Sequence, residues 1–276
     1  MDRYAVIGHP IGHSKSPLIH TAFAEATGQA LVYTAIEAPL DGFAATVDRF
    51  RAEGGRGVNV TVPFKLEACA YATDPADRAR AAGAANALKF DGDRCLADNF
   101  DGVGLVRDIV HNLGHAVRGR RVLLLGAGGA TRGALLPLLE QAPAHLFVAN
   151  RSVDKALALV QEFVGRGAPA HVLEGGGYAD LGGDAFDVVV NATSASLGQA
   201  LPPVPAHALH PDGLAYDMVY GQGLTPFLQL AQTRGVRHLA DGVGMLVEQA
   251  AEAFAWWRGV RPDTATTIQR LRVPLI

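Results

Sequence analysis

Short apolar runs of strand length alternate along this chain with longer stretches of helical character, and the alternation falls into two blocks. In the first block, Tyr4 to Gly8 reads as a buried strand. A loop dense in turn formers and hydroxyls follows, and Ser16 before Pro17 gives an N-cap and first-turn signal for a helix to about Gly28. A strand at Ala30–Ile36, a helix from Pro39 to about Ala52 and a strand at Gly57–Val60 come next. A short helix is then expected from about Lys65 and another over Pro75–Ala82. Strands at Ala85–Phe90 and Arg94–Ala97 are expected to pair through Asp91-Gly92. From Asp101 to about Leu113 a helix bridges into the second block.

That block opens with Val122–Leu125, all apolar, as expected of a strand buried on both faces of a parallel sheet. A helix follows over Ala130–Leu139, with Pro137 a local discord, and then a strand over Ala144–Asn150. Further strands are expected near Ala170–Leu173 and at Phe186–Ala192, Leu214–Met218 and Val236–Leu239, with a helix from Thr225-Pro226. Glu174-Gly-Gly-Gly177 reads as a loop. The chain closes with an apolar-rich helix, Gly242–Trp257, and a last one, Pro262–Leu271. No strand follows these two, so they are expected to pack back on the first block. The pattern predicts an α/β protein of two α/β domains.

The junction of the first strand and helix of the second block carries chemistry. Three glycines occur at 126, 128 and 129. Between a buried strand and a helix, such a turn lets backbone approach a pyrophosphate, with free helix N–H groups and a positive dipole end beside it. Thr131 stands where the usual fingerprint has its third glycine, and a Gly-rich structural turn would look similar. The next strand decides more. In an NAD site an acidic residue near its end holds the ribose 2′-hydroxyl. Here the strand ends Asn150-Arg151-Ser152, with Lys155 one helical turn beyond Arg151. Cations are disfavoured at a helix N-terminus, so two of them there suggest an anionic ligand. A guanidinium suits a 2′-phosphate, and the reading is NADP rather than NAD.

Composition narrows the rest. At 276 residues the chain is comfortable for two domains, and 49% hydrophobic with 18% charged residues implies a large core. The net charge is -3 with no basic block, which disfavours nucleic acid as a partner. Cys69 and Cys95 form no Cys-x-x-Cys pattern, which argues for a reducing compartment. No 18-residue apolar run and no signal-peptide core occur, so a soluble, cytoplasmic protein without membrane contact is expected. The ten histidines show no metal spacing, and neither a Gly-x-Ser-x-Gly elbow nor a P-loop is present.

Three polar clusters of the first block sit just after strand ends, where parallel sheets place ligands. In His13-Ser14-Lys15-Ser16, two hydroxyls beside helix amides would cradle a carboxylate, but an N-cap and a turn residue would look the same. Asn59 and Thr61 share a strand face, and Lys65 follows in a first helical turn, either solvated at the surface or poised for proton transfer. Asp98-Asn-Phe-Asp101-Gly102 lies near Asn86. Asp101 is either a cap only, or, if it meets Lys65, half of a proton-transfer dyad.

These pieces in this order resemble the bacterial shikimate dehydrogenase family over nearly the whole chain. The telling segments are Gly12-His-Ser-Lys-Ser-Pro17, Asn59-Val-Thr-Val-Pro-Phe-Lys65, Gly83-Ala-Ala-Asn86, Asp98-Asn-Phe-Asp-Gly102, Gly126-Ala-Gly-Gly-Ala130, Asn150-Arg151, Asn191-Ala-Thr193, Tyr216-Asp-Met-Val-Tyr220 and Asp241-Gly-Val-Gly-Met245. The resemblance implies NADP-linked reduction of 3-dehydroshikimate to shikimate in aromatic amino-acid biosynthesis. It implies that Lys65 and Asp101 are the catalytic pair and that Ser14, Ser16 and Tyr220 hold the substrate carboxylate. Asn59, Thr61, Asn86 and Gln249 would face the ring hydroxyls with them. Gly126, Ala127, Gly128, Gly129 and Ala130 would carry the pyrophosphate, and Asn150, Arg151 and Lys155 the adenosine 2′-phosphate, with Met218 and Gly242 near the nicotinamide. No metal is implied.

The resemblance also implies a substrate domain of residues 1–101 completed by 242–276, a Rossmann-like NADP domain of 102–241, and catalysis in the cleft between them. A small-molecule substrate and a monomer or homodimer are expected. The family usually has Asn-Thr-Asp-Gly where this chain has Asn99-Phe100-Asp101-Gly102. The Ser-x-Ser pattern at 14–16 is similar to shikimate-preferring members and argues against quinate. The competing readings are a broader quinate/shikimate or aminoshikimate dehydrogenase and a non-catalytic NADP-binding regulatory protein. The joint presence of Lys65, Asp101, Asn86 and Gln249 argues against the latter.

Overall fold

Tyr4 to Ile7, apolar and buried, form the middle of β1 (Asp2–Gly8), on which one of two sheets is built. The computed structural model describes residues 1–193, 201–221 and 223–275. The chain divides into two units: Met1–Gly104 with Val247–Gln269, and Leu105–Leu246 with the residues from Arg270 onward.

In unit 1, β1 is followed by α1 (Ser16–Thr27), β2 (Leu31–Glu37), α2 (Phe43–Ala52), β3 (Gly55–Val60), α3 (Lys65–Tyr71), β4 (Asp74–Pro75), α4 (Asp77–Ala82), β5 (Ala87–Asp91) and β6 (Arg94–Asp98). The sheet order is β2-β1-β3-β5-β6-β4. β1 pairs in parallel with β2 and β3, whereas β5 runs antiparallel to both β3 and β6. Alternation along β1 divides the core. Ala5 and Ile7 pack with Phe43, Val47, Phe50 and Phe64 on one face. Tyr4 and Val6 pack with Tyr33, Phe100, Ala253 and Trp257 on the other. Trp257 is locked by its indole N–H, which donates to the Leu88 carbonyl at 3.0 Å. A Cβ at Gly57 would lie 2.7 Å from that same indole nitrogen, so this strand position needs glycine.

α5 (Asp101–Arg107) continues as a wider π-helical turn, Asp108–Asn112, into unit 2. There follow β7 (Arg121–Leu125), α6 (Gly129–Glu140), β8 (His145–Ala149), α7 (Val153–Gly165), β9 (Leu173–Gly176), β10 (Phe186–Asn191), β11 (Leu209–Asp217), α8 (Pro226–Thr233) and β12 (His238–Asp241). All six strands are parallel, in the order β12-β11-β10-β7-β8-β9. This is the doubly wound dinucleotide-binding order, whose direction reverses between β7 and β10. Val122 to Leu125 on β7 are all fully buried, as a strand covered on both faces should be. α9 (Val243–Arg258) and α10 (Ala265–Leu271) close the chain.

Several expected boundaries move. Asp74–Pro75 pairs with β6 instead of opening a helix, so α4 begins at Asp77. Pro39 begins a turn, with the Gly42 N–H on its carbonyl, and α2 starts at Phe43. The last helix starts at Ala265, not Pro262. The strand expected near Ala170–Leu173 instead spans Leu173–Gly176, so the glycine run is largely strand, not loop. β11 begins five residues earlier than Leu214. Unit 1 reclaims the chain from Val247, not Gly242, and the residues from Arg270 onward belong to unit 2. Leu275 packs against the unit 2 core, which is why that tail does not stay with unit 1.

Candidate functional site

Strand register in unit 1 assembles a polar cluster from four distant segments. Asn59 pairs with Ala87 across β3 and β5, and Ala87 pairs with Asp98 across β5 and β6. Asn59, Asn86 and the turn from Asp98 to Asp101 therefore converge at one sheet end, where α3 begins with Lys65. The Lys65 ammonium donates to Asp101 Oδ2 at 2.6 Å. The Asn86 amide N–H donates to Asp101 Oδ1 at 2.9 Å and to Gln249 Oε1 at 3.0 Å. The Asn86 amide oxygen accepts the Phe100 N–H at 2.9 Å, which fixes which way round the amide sits. The Asn59 amide donates to the Asn86 carbonyl at 3.3 Å.

Asn59, Asn86 and Gln249 are buried, but Lys65 and Asp101 keep 32% and 20% of their side chains exposed. The pair is thus both constrained and reachable. Asp101 is the first residue of α5, and its carboxylate serves Lys65 and Asn86. Its own N–H is held by the Asn99 side chain at 3.1 Å. Phe100 turns the other way: its ring packs edge-on to Trp256 at 5.6 Å and under the Arg78 guanidinium at 5.5 Å. Its bulk therefore sits in the core, not beside the Asp101 carboxylate.

The hydroxyl pair lies at the start of α1. Lys15, not Ser16, occupies the cap position, and Ser16 is the first helical residue, buried. The Ser14 hydroxyl accepts the Ser16 N–H at 3.3 Å. The Tyr33 phenol donates to Asn59 Oδ1 at 2.7 Å; burial pushes its pKa well up, partly offset by the Ser16 hydroxyl. Thr61, just past β3, comes so near β1 that a Cβ at Gly8 would meet its methyl at 2.5 Å.

Unit 2 holds a cavity of about 630 Å³ lined by Gly126–Gly129, Asn150, Arg151, Ser152, Lys155, Tyr178, Ala192, Thr193 and Leu201–Pro203. It opens where the strand order reverses, which is where such sheets bind dinucleotides. Gly126 has φ 103°, and a Cβ there would meet the Thr193 methyl at 2.9 Å. A Cβ on Gly128 or Gly129 would meet nothing within 4 Å, so their backbone faces open space. Gly128 caps α6 with no side-chain hydrogen bond, which leaves first-turn amides to an incoming anion. Thr131, in place of a third glycine, is buried and its hydroxyl donates to the Gly126 carbonyl at 2.8 Å, bracing the turn. Arg151 and Lys155 are exposed around the start of α7. An anion cradle with two cations and no carboxylate at the strand tip fits a dinucleotide bearing a 2′-phosphate.

The ends of β10, β11 and β12 are also knitted in unit 2. The Met218 N–H donates to the Asn191 carbonyl at 3.0 Å, and a Cβ at Gly242 would lie 2.3 Å from the Met218 carbonyl oxygen. Tyr220 lies in the turn after β11 and is 39% exposed. Asp217 accepts from Thr225 at 2.6 Å and Asn191 at 3.2 Å. Asp241 accepts the Gly221 and Val243 N–H groups; burial raises its pKa, and these two amides offset part of that. Asn191, Thr193, Asp217 and Asp241 stand in segments that the sequence marks as telling, yet sequence alone assigns them no role. The signal was available: a polar residue ends each of three adjacent strands, β10, β11 and β12. Among the described residues no metal-ligand cluster occurs and no helix is long and apolar enough to cross a membrane.

Residues 6–88 match the family described as shikimate dehydrogenase substrate binding domain, 108–198 shikimate / quinate 5-dehydrogenase, and 242–272 shikimate 5'-dehydrogenase C-terminal domain. The chain is 57% identical over 273 residues to shikimate dehydrogenase (NADP(+)) of Nitrosomonas eutropha, covering 99% of this chain and 97% of that one. The solved structure of an Ael1 enzyme from Pseudomonas putida is 59% identical with a TM-score of 0.95, covering 100% of both chains. Shikimate 5-dehydrogenase from Thermus thermophilus, solved with NADP(H) and shikimate, is 32% identical with a TM-score of 0.85 over 98% of each chain.

Proposed function

This chain belongs to the shikimate dehydrogenase family, and on that premise we propose that it interconverts 3-dehydroshikimate and shikimate with NADP(H), using Lys65 and Asp101 as the proton-transfer pair. The observation that carries the assignment is the 2.6 Å contact between Lys65 and Asp101, braced by Asn86 from the other carboxylate oxygen. NADP(H), when bound, supplies or takes up the hydride.

Reduction of a ring ketone needs a proton at the oxygen as the hydride reaches the carbon. The Lys65 ammonium donates that proton; in the reverse direction its neutral amine takes the proton from the substrate hydroxyl. Asp101 holds the amine in place and supports its charge. Asn59, Thr61, Asn86 and Gln249 offer amide and hydroxyl groups to the ring hydroxyls. A buried site built to bond hydroxyls discriminates strongly against analogues lacking them. In unit 1, Ser14 and Ser16 hold the carboxylate. On unit 2, Gly126–Ala130 take the pyrophosphate, Asn150, Arg151 and Lys155 the 2′-phosphate, and Met218 and Gly242 the nicotinamide end.

The test is initial-rate spectrophotometry of the purified protein with shikimate and quinate, each against NADP and NAD. NADPH formation with shikimate, and little with quinate, is the expected result. Comparable rates with quinate or NAD would replace it with a broader dehydrogenase. NADP binding without turnover on any pair would leave a nucleotide-binding protein.

A further inference from the structure

The glycine run at 175–177 has a packing cause. A Cβ on Gly175 would lie 2.8 Å from Val160 Cγ2 and 3.1 Å from the Ala156 carbonyl oxygen. On Gly176 it would meet Asp180 Oδ2 at 2.8 Å, and on Gly177 Val153 Cγ2 at 3.0 Å. Without side chains here, α7 lies directly on β9 and the chain turns sharply at its end. The Gly177 N–H donates to the Asp180 carboxylate at 2.7 Å and fixes that turn.

The turn delivers Tyr178 to a defined place. In the parallel register of β8 and β9, Ala149 pairs with Gly176, and the Asn150 N–H donates to the Gly176 carbonyl at 3.0 Å. Two residues beyond this pair stand Arg151 on one chain segment and Tyr178 on the other. Both line the same cavity as Lys155. The Tyr178 ring packs against the unit 2 core, and the residue stays half-buried where it lines the cavity. Burial raises the phenol pKa, with Arg151 offsetting part of the rise, so at neutral pH it is a protonated donor.

We propose that Tyr178 is a ligand of the cofactor's 2′-phosphate: its phenol donates to the phosphate whose charge Arg151 and Lys155 neutralise, and it helps select NADP over NAD. A phosphate offers three strong acceptor oxygens, each able to take more than one hydrogen bond, so a phenol donor can serve it beside the two cations. This assignment rests on the reading of the unit 2 cavity as the NADP site.

The test is direct binding of NADPH and of NADH to the full-length protein, read by nucleotide fluorescence at fixed salt. Tyr178→Phe keeps the ring and its packing and removes only the hydroxyl. Its affinity for NADPH is expected to fall about tenfold, the scale of a hydrogen bond to a charged group, with NADH affinity unchanged. Unchanged NADPH affinity overturns the proposal, and so does an equal loss for both nucleotides, which would place the phenol elsewhere on the cofactor. A wild-type protein with no preference for NADPH over NADH would overturn the 2′-phosphate reading of the cavity itself. A wild-type preference that survives intact in Tyr178→Phe would overturn the role of Tyr178 alone.

Discussion

At Lys65 the fold sets an ammonium against a carboxylate and keeps both open to solvent in part, a balance that suits proton exchange better than structural pairing. A partly exposed ion pair adds little to stability, so its loss should be felt in the reaction. Lys65→Ala is expected to leave NADPH binding intact and to lower turnover by at least ~10²-fold, the usual scale for a positioned acid–base group. Stopped-flow or steady-state rates check the turnover and nucleotide fluorescence checks the binding. Near-normal turnover would remove Lys65 from the mechanism.

His20 shows the opposite case, a titratable ring shut away from solvent. It is 1% exposed and stacks on Tyr33 at 4.2 Å between ring centroids. Burial lowers its pKa from 6.5 to about 3, with the Asn59 side chain offsetting part of the fall. Between those values the unfolded chain binds a proton that the folded chain refuses. Stability therefore rises with pH through that window and falls as pH drops below 6.5, by about 2 kcal/mol at pH 5 relative to neutrality. His20→Phe is expected to flatten this dependence in urea titrations at pH 5 and 7. An unchanged slope would assign the acid sensitivity to other groups.

At the scale of elements, what could be read from sequence was whatever a local pattern determines. The Gly126 turn, the apolar β7 and the β5–β6 hairpin are legible because each is a short-range signal, although the two loop residues are Gly92-Asp93, one position on from the expected Asp91-Gly92. β9 was not, because glycines at 175–177 suggest a loop by propensity, while the reason for them is α7, which no local pattern reveals. Asp74–Pro75 misled similarly: a proline that opens helices elsewhere here sits in a two-residue edge strand, where its missing N–H costs nothing. The Ser16-Pro17 signal places the cap of α1 one position late, since Lys15 is the cap and Ser16 the first helical residue. The candidate site divided along the same line. Lys65, Asp101 and Asn86 lie in quotable segments, but only the β3–β5–β6 register shows that they touch. Phe100 could be seen as a departure from the family pattern. That its ring goes to Trp256 and Arg78 is a tertiary fact.

At the scale of the molecule, the division into two units bears on stability. Each unit has its own sheet and its own buried core, and unit 1 depends on chain that returns after the unit 2 sheet is complete. Phe254 on α9 is fully buried in unit 1, 5.8 Å from Phe23 and 6.1 Å from His20 between ring centroids. Phe254→Ala should destabilise that unit by about 3–5 kcal/mol, the range for a large aromatic lost from a core. The readout is built in. The protein has two tryptophans, Trp256 and Trp257, and both lie in unit 1. Their fluorescence follows the unfolding of that unit, whereas NADPH binding follows unit 2. The tryptophan transition of Phe254→Ala is expected to move to lower urea, with NADPH affinity unchanged at urea concentrations where unit 1 has already melted. If NADPH affinity instead disappears together with the tryptophan signal, the two cores unfold as one cooperative block. The returning helices would then be holding both units together, not completing one of them.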